Sequence, residues 1–153
     1  GLDDPSIYYT GDYATQVLNH RSNLNSLAEA LLDKGETAKA HQVLSFSLSK
    51  MTDAAVPYDP SSPDTVNLLF KAGQKQKAID VAKVVASRAK EIASFLITDG
   101  DTSSFQFRKN MFLLGAMQRN LYENGEEQLA MKYEEDYAGL IDRLENIDSR
   151  SED

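Results

Sequence analysis

Apolar residues recur along most of this chain at spacings of three and four, the period of an α-helix with one buried face. The pattern predicts six helices, over residues 12–34, from Gly35 to about Thr52, over 63–72, and along stripes spanning 78–96, 107–121 and 130–147. The stripe at 78–96 is the longest and is rich in alanine. A break near 19–23, where polar residues interrupt the stripe, is the alternative to one long first helix.

A second pattern is superimposed on the first: two apolar residues, a glycine three positions after the second of them, and an alanine five positions further on. The three copies are Leu31-Leu32…Gly35…Ala40, Leu69-Phe70…Gly73…Ala78 and Leu121-Tyr122…Gly125…Ala130. Glycine adopts the left-handed conformation that ends many helices, and alanine lets two helix backbones approach closely. The sequence therefore predicts an all-α fold of three antiparallel helical hairpins, stacked as a short α-solenoid.

The proposed hairpins are joined by two irregular segments. Residues 53–63 contain three of the four prolines and cannot be helical throughout. Ser62 or Asp64 is expected to cap the third helix, with Pro63 in its first turn. Residues 98–104 are polar and are expected to form a turn between the fourth and fifth helices. We expect an irregular lead-in and the start of the first helix over 1–21, a helical domain over 22–147, and a frayed acidic tail over 148–153.

The excess negative charge is confined to the C-terminal part of the chain. Residues 1–122 hold thirteen acidic and thirteen basic side chains, whereas residues 123–153 hold eleven and three, which together give the net charge of −8. Nucleic acids and anionic membranes need clustered Lys and Arg, so neither is an expected partner. The chain also has no cysteine and no apolar run of the length of a membrane span, so we expect no thiolate metal site and no insertion into a membrane.

No motif in the chain predicts catalysis, a cofactor or a metal. His20 and His41 are the only histidines, and no glycine-flanked nucleophile motif surrounds a serine. Asp99-Gly100-Asp101 lacks the acidic ladder of an EF-hand loop and is expected to be a turn. The acidic run at 134–136 is expected to be a solvated helix face, because adjacent residues on a helix point in different directions. The chain is therefore not expected to be an enzyme.

The first helix of each hairpin is expected to line a concave face that binds a protein or peptide segment. Counting back ten, six, three and two residues from each glycine gives Asn25, Glu29, Leu32 and Asp33, then Pro63, Asn67, Phe70 and Lys71, and then Gly115, Arg119, Tyr122 and Glu123. The polar and aromatic members of this set are the candidate contacts, and Asn67 and Arg119 are the first to test. The alternative is that Phe70 and Tyr122 are buried in packing between repeats.

The segments Leu31–Ala40 and Leu69–Ala78 resemble the tetratricopeptide repeat around its inter-helix turn, and Ala28 fits the small residue seven positions before the glycine. The glycines lie 38 and 52 residues apart, so the repeats are longer and less regular than those of the family. The resemblance covers about residues 22–147 and implies a tetratricopeptide-like scaffold that binds protein segments without catalysis.

A second resemblance involves Arg21, the first repeat, the segment Val56-Pro57-Tyr58-Asp59 and Lys71-Ala72-Gly73. These residues resemble the soluble C-terminal region of bacterial multi-spanning membrane proteins related to O-mannosyltransferase-type glycosyltransferases. This resemblance implies a domain on the periplasmic face of the inner membrane, tethered to a membrane-spanning parent. Gly1 before Leu2 is typical of a protease cleavage site, which also suggests a longer protein.

Three functions remain open at this stage. The first is a non-catalytic protein–protein interaction domain. The second is an accessory domain that contacts the substrate of a membrane glycosyltransferase whose catalytic part lies outside this chain. The third is a domain that only holds its parent as a dimer.

Overall fold

Six α-helices make up most of the chain in the computed structural model, which describes residues 11–54 and 57–151. They are α1 (Gly11–Asp33), α2 (Thr37–Lys50), α3 (Ser62–Lys71), α4 (Lys75–Asp99), α5 (Phe105–Glu123) and α6 (Glu127–Ser151). The described residues contain no β-strand. The all-α class predicted from the apolar period is confirmed.

The chain divides into two compact units, an N-terminal unit (Gly1–Ile79) and a C-terminal unit (Asp80–Asp153). In the N-terminal unit, α1 packs against α2 and α3, and α2 also contacts α3. In the C-terminal unit, α5 packs against α6. The boundary falls within α4, so one continuous helix belongs to both units.

The three predicted glycine turns share one backbone geometry. Gly35, Gly73 and Gly125 have φ values of 74°, 77° and 83°. In each copy the residue after the glycine donates its N–H to a carbonyl five residues back, as Gln74 does to Leu69 at 2.8 Å. The repeated glycine therefore ends a helix in the left-handed conformation, as predicted.

A buried alanine follows each of these glycines at a fixed distance. The backbone N–H of Ala40, Ala78 and Ala130 donates to the carbonyl of the residue just after the glycine, at 3.1, 3.0 and 2.9 Å. This bond closes the first turn of the next helix. All three alanines are at most 1 % exposed, so a larger side chain has no room there.

A buried arginine anchors the proline-rich segment between α2 and α3. Arg21, in α1, is 2 % exposed, and its Nη1 lies 2.7 Å from Oδ2 of Asp59. The guanidinium also donates to the carbonyls of Pro57 (3.2 Å) and Met51 (3.4 Å) and lies over the ring of Tyr58, 5.3 Å from its centroid. Four residues that carry the second sequence resemblance, Arg21 and 57–59, thus meet in one cluster.

Asp59 also fixes the start of α3. Its Oδ1 accepts from the N–H of Ser61 at 2.6 Å, and its own N–H donates to Oγ of Ser62 at 2.9 Å. The predicted capping role of Ser62 or Asp64 is wrong, because Ser62 is the first helical residue and Ser61 is the N-cap, without a side-chain capping bond. Pro63 does lie in the first turn, as predicted.

Other helix limits also differ from the prediction. α1 is unbroken at 19–23, which removes the alternative of two shorter helices. Thr98 and Asp99 belong to α4, and the turn that follows begins at Gly100, a fourth glycine with positive φ (79°). α6 continues through the start of the expected frayed tail, to Ser151. The lead-in over 1–10 and the last residues, 152–153, lie outside the described residues.

A polar seam joins α4 and α6 in the C-terminal unit. Lys90 Nζ lies 2.6 Å from Oδ1 of Asp136. Two turns along α6, Arg143 donates to the hydroxyls of Ser94 (2.6 Å) and Thr98 (2.9 Å). The predicted acidic face at 134–136 is therefore only partly solvated: Glu134 and Glu135 are exposed, but Asp136 is paired with Lys90.

Tyr133, buried in the same seam, gives the C-terminal unit a pH dependence. Burial raises the pKa of its phenol, the nearby Asp136 carboxylate raises the pKa further, and a hydrogen bond with Ser87 opposes them. Since the folded pKa lies above the unfolded value of about 10, the unfolded chain loses this proton first. The raised pKa of Tyr133 stabilises the folded protein at pH values below about 10, and this stabilisation is lost as the pH rises through the folded pKa.

We therefore expect that raising the pH from about 9 to about 11 lowers the urea midpoint of the wild-type protein more than it lowers the midpoint of Tyr133→Phe. At neutral pH the variant should be about 1 kcal/mol less stable, because the hydrogen bond with Ser87 is lost. Tyr122→Phe is the control, because this tyrosine is 61 % exposed. Equal alkaline losses in wild type and Tyr133→Phe would show that this phenol does not cause the effect.

Candidate functional site

A polar groove lies between α1 and α3 in the N-terminal unit, with a volume of about 290 Å³. Its lining residues are Ser22, Asn25, Ser26 and Glu29 on α1, and Asp64, Asn67, Leu68 and Lys71 on α3. On each helix these positions are spaced i, i+3, i+4 and i+7, so each set forms one stripe over two turns. We refer to this feature as the α1–α3 groove.

The floor of the groove is held by a buried pair of polar side chains. Asn25 is 6 % exposed and Thr65 is 1 % exposed. The Asn25 amide nitrogen donates to Thr65 Oγ1 at 2.9 Å and to the Ser61 carbonyl at 3.4 Å. A buried amide is stable only when it is hydrogen-bonded, so this pair fixes the separation of α1 and α3 at the groove.

The upper walls of the groove carry groups that water can reach. Glu29, Asp64 and Lys71 are exposed, and Asn67 is half-buried. Ser22 and Ser26 are exposed as well, and the Ser26 hydroxyl donates to the Ser22 carbonyl at 3.1 Å. With two carboxylates and one ammonium group, the lining has a formal charge of −1 and offers both hydrogen-bond donors and acceptors.

The structure brings together four of the nine residues that the sequence indicated as contacts. Asn25, Glu29, Asn67 and Lys71 all line the α1–α3 groove. Asp33 is exposed at the end of α1, and Phe70 is half-buried in α3. The other three, Arg119, Tyr122 and Glu123, are exposed on α5 in the C-terminal unit.

The aromatic candidates differ from each other in exposure. Tyr122 is 61 % exposed, which contradicts the alternative that packing between repeats buries it. Phe70 is half-buried, so it is neither a fully exposed contact residue nor a residue fully buried between repeats. Pro63, which lies ten residues before Gly73 and so belongs to the same predicted face, is buried.

Four groove residues were not among the predicted contacts: Ser22, Ser26, Asp64 and Leu68. Ser26 and Asp64 both lie nine residues before a turn glycine, a position that the count of ten, six, three and two passes over. Because helical residues three and four apart share a face, extending the count to that position would have found both.

Among residues 11–54 and 57–151, no group of three or more His, Cys, Asp or Glu side chains could hold a metal ion. In the same part of the chain, no helix is long and apolar enough to cross a membrane. His41 is exposed on α2, and its carbonyl accepts from the Gln74 amide at 3.2 Å.

No protein-family model matches the chain, and no curated protein or solved structure matches it either.

Proposed function

We propose that this chain is a non-catalytic protein–protein interaction domain and that its α1–α3 groove binds an extended peptide segment of a partner. The observation that carries the proposal is the pair of matching stripes on either side of one groove, with four residues on each helix, all polar except Leu68. In this proposal α1–α2, α3–α4 and α5–α6 are antiparallel hairpins of a short tetratricopeptide-like solenoid, and the groove is part of its concave face.

The size of the groove suits a short extended segment. Seven residues of helix rise about 10 Å, so each stripe is about as long as three residues of extended peptide. Asn67 carries both a donor and an acceptor, which matches the alternating N–H and C=O groups of a peptide backbone. Glu29, Asp64 and Lys71 would then select among the side chains of the segment by charge.

We also propose a cellular location for this domain. The second sequence resemblance favours the periplasmic face of a bacterial inner membrane, with the chain tethered to a membrane-spanning parent. The clustering of Arg21 with residues 57–59 gives the resemblance motif a structural role, because these residues position α3 beside the groove.

To test the function, random peptides displayed on phage would be selected on the purified chain, and the affinities of the selected peptides would be measured by calorimetry. Asn67→Ala and Lys71→Ala should each weaken binding by about tenfold, the usual effect of removing one well-made polar contact. Gln42→Ala is the control, since this exposed residue of α2 does not line the groove.

Two results would contradict the proposal. The first is that no peptide is enriched on the chain. The second is that the selected peptides bind the Asn67 and Lys71 variants as tightly as they bind the wild type. Binding of an oligosaccharide in place of peptides, lost in the same variants, would favour the accessory glycosyltransferase domain instead.

A further inference from the structure

One side of α5 carries a row of exposed aromatic and basic side chains. Phe105, Phe112 and Tyr122 are 67 %, 51 % and 61 % exposed. Arg108 and Arg119 are exposed on the same side of the helix. The positions 105, 108, 112, 115, 119 and 122 advance by three or four residues each and so form one stripe, which we call the α5 stripe.

Gly115, at the middle of the stripe, extends this surface onto α6. A Cβ atom on Gly115 would lie 3.6 Å from Cε2 of the Tyr137 ring and 3.6 Å from Nη1 of Arg119. These are ordinary van der Waals distances, so the Tyr137 ring and the Arg119 guanidinium both lie beside the α5 backbone at Gly115. Tyr137 is 36 % exposed and adds a fourth aromatic ring to the surface.

The charge of the α5 stripe is opposite to that of the chain. α5 holds Arg108, Lys109, Arg119 and Glu123, a formal charge of +2 in a chain of net charge −8. Neither Arg108 nor Arg119 forms an ion pair with another described residue. Arg108 is held by a hydrogen bond from its Nη1 to the Ser103 carbonyl at 2.6 Å, which leaves its positive charge uncompensated.

We propose that the α5 stripe is a docking surface for an acidic amphipathic helix of a partner protein. Exposed aromatic residues and arginines are the side chains that most often dominate binding energy at interfaces. Phe105, Phe112 and Arg119 lie seven residues apart, the repeat that keeps two crossing helices in contact. From Phe105 to Tyr122 the stripe is about 26 Å long, which matches a partner helix of about 17 residues.

Charge complementarity selects this partner over a symmetric contact with a second copy of the chain. Two α5 stripes placed face to face around a two-fold axis would bring surfaces of charge +2 together, and the like charges would repel. A partner helix with apolar residues at seven-residue spacing, flanked by Asp and Glu, would cover the aromatic rings and neutralise both guanidinium groups. The α5 stripe shares no residue with the α1–α3 groove, so this inference does not depend on whether the groove binds a peptide.

A designed helical peptide is a direct probe. One peptide would carry leucines at seven-residue spacing with glutamates on the flanks, and a matched peptide would carry lysines in place of the glutamates. The acidic peptide should bind the wild-type chain in fluorescence anisotropy, and added salt should weaken the binding because the paired charges are screened. The basic peptide should bind at least about tenfold more weakly.

Variants of the chain locate the binding. Phe112→Ser and Arg119→Glu should each weaken the binding of the acidic peptide by about tenfold or more. Phe46→Ser and Lys34→Glu are matched controls on α2 and in the first turn segment, and neither should change the affinity. Asn67→Ala, in the α1–α3 groove, should also leave it unchanged, so that failure of one proposal is distinguishable from failure of the other.

The proposal would be overturned if neither peptide bound, if both bound equally well, or if Phe112→Ser and Arg119→Glu bound the acidic peptide as the wild type does. Sedimentation equilibrium provides the remaining check. If the wild-type chain self-associates and both variants are monomeric, the α5 stripe joins copies of this chain and the assignment to an acidic partner is wrong.

Discussion

Replacing Arg21 with alanine should lower the free energy of unfolding by about 3–5 kcal/mol, the usual effect of breaking a buried ion pair. The side chain of Arg21 is 2 % exposed and that of Asp59 is 10 % exposed. Without the guanidinium, the Asp59 carboxylate keeps only its hydrogen bond from Ser61 and has no opposite charge at its 2.7 Å contact. Urea denaturation followed by circular dichroism measures the loss.

The comparison with an exposed ion pair makes this prediction specific. Lys39 pairs with Glu36 across one turn, and both side chains are substantially exposed. Lys39→Ala should therefore change the stability by less than about 1 kcal/mol. The double variant Arg21→Ala with Asp59→Ala should lose less than the sum of the single variants, because each single change leaves the other group unpaired. An Arg21→Ala protein as stable as Lys39→Ala would contradict the assigned role of the buried pair.

The Arg21 variant should also affect the α1–α3 groove. Arg21 holds the segment before α3 through Asp59, and Asp59 binds the N–H of Ser61. Ser61 in turn accepts from Asn25, on the groove floor. Peptides that bind the groove should consequently bind Arg21→Ala more weakly even under conditions in which the variant is folded.

Replacing Gly73 with valine should lower the free energy of unfolding by about 1–3 kcal/mol. Gly73 has φ = 77°, in the left-handed region that a β-branched residue strongly disfavours. Apart from the two adjacent residues, no atom lies within 4 Å of the position of an added Cβ, so the Cβ itself meets no neighbour. The effect is therefore one of backbone conformation, and thermal unfolding of the purified variant measures it.

Gly139→Val is the matched control for this prediction. Gly139 lies within α6 and also has no neighbouring atom near an added Cβ, but its φ is not positive. Valine is a slightly better helix former than glycine, so this change should leave the stability unaltered or raise it by a few tenths of a kcal/mol. Equal losses at both positions would mean that the left-handed turn at Gly73 is not the cause.

The candidate site was only partly predictable, and particular residues show why. Glu29, Asn67 and Lys71 were identified because they lie at fixed distances before a turn glycine, on the first helix of a predicted hairpin. Asn25 was found by the same count, but it is buried and bonded to Thr65, forty positions along the chain. A pattern within one helix indicates which residues share a face. It does not indicate which polar residues on that face a second helix will cover.

Arg21 illustrates the same limit more strongly. Its neighbours in the sequence, His20 and Ser22, are both exposed, and nothing local distinguishes it from a surface arginine. It is buried because Met51 and residues 57–59 pack against it and supply a carboxylate, two carbonyls and an aromatic ring.

The sequence by itself determined the six helices and the left-handed turns at Gly35, Gly73 and Gly125. These features depend on interactions between residues at most five apart, which the order of side chains encodes directly. Only the tertiary structure decided that Arg21 and Asn25 are buried and that two polar stripes form one groove. The contacts responsible join residues 30 to 40 positions apart, and their geometry exists only once α1, α2 and α3 have packed together.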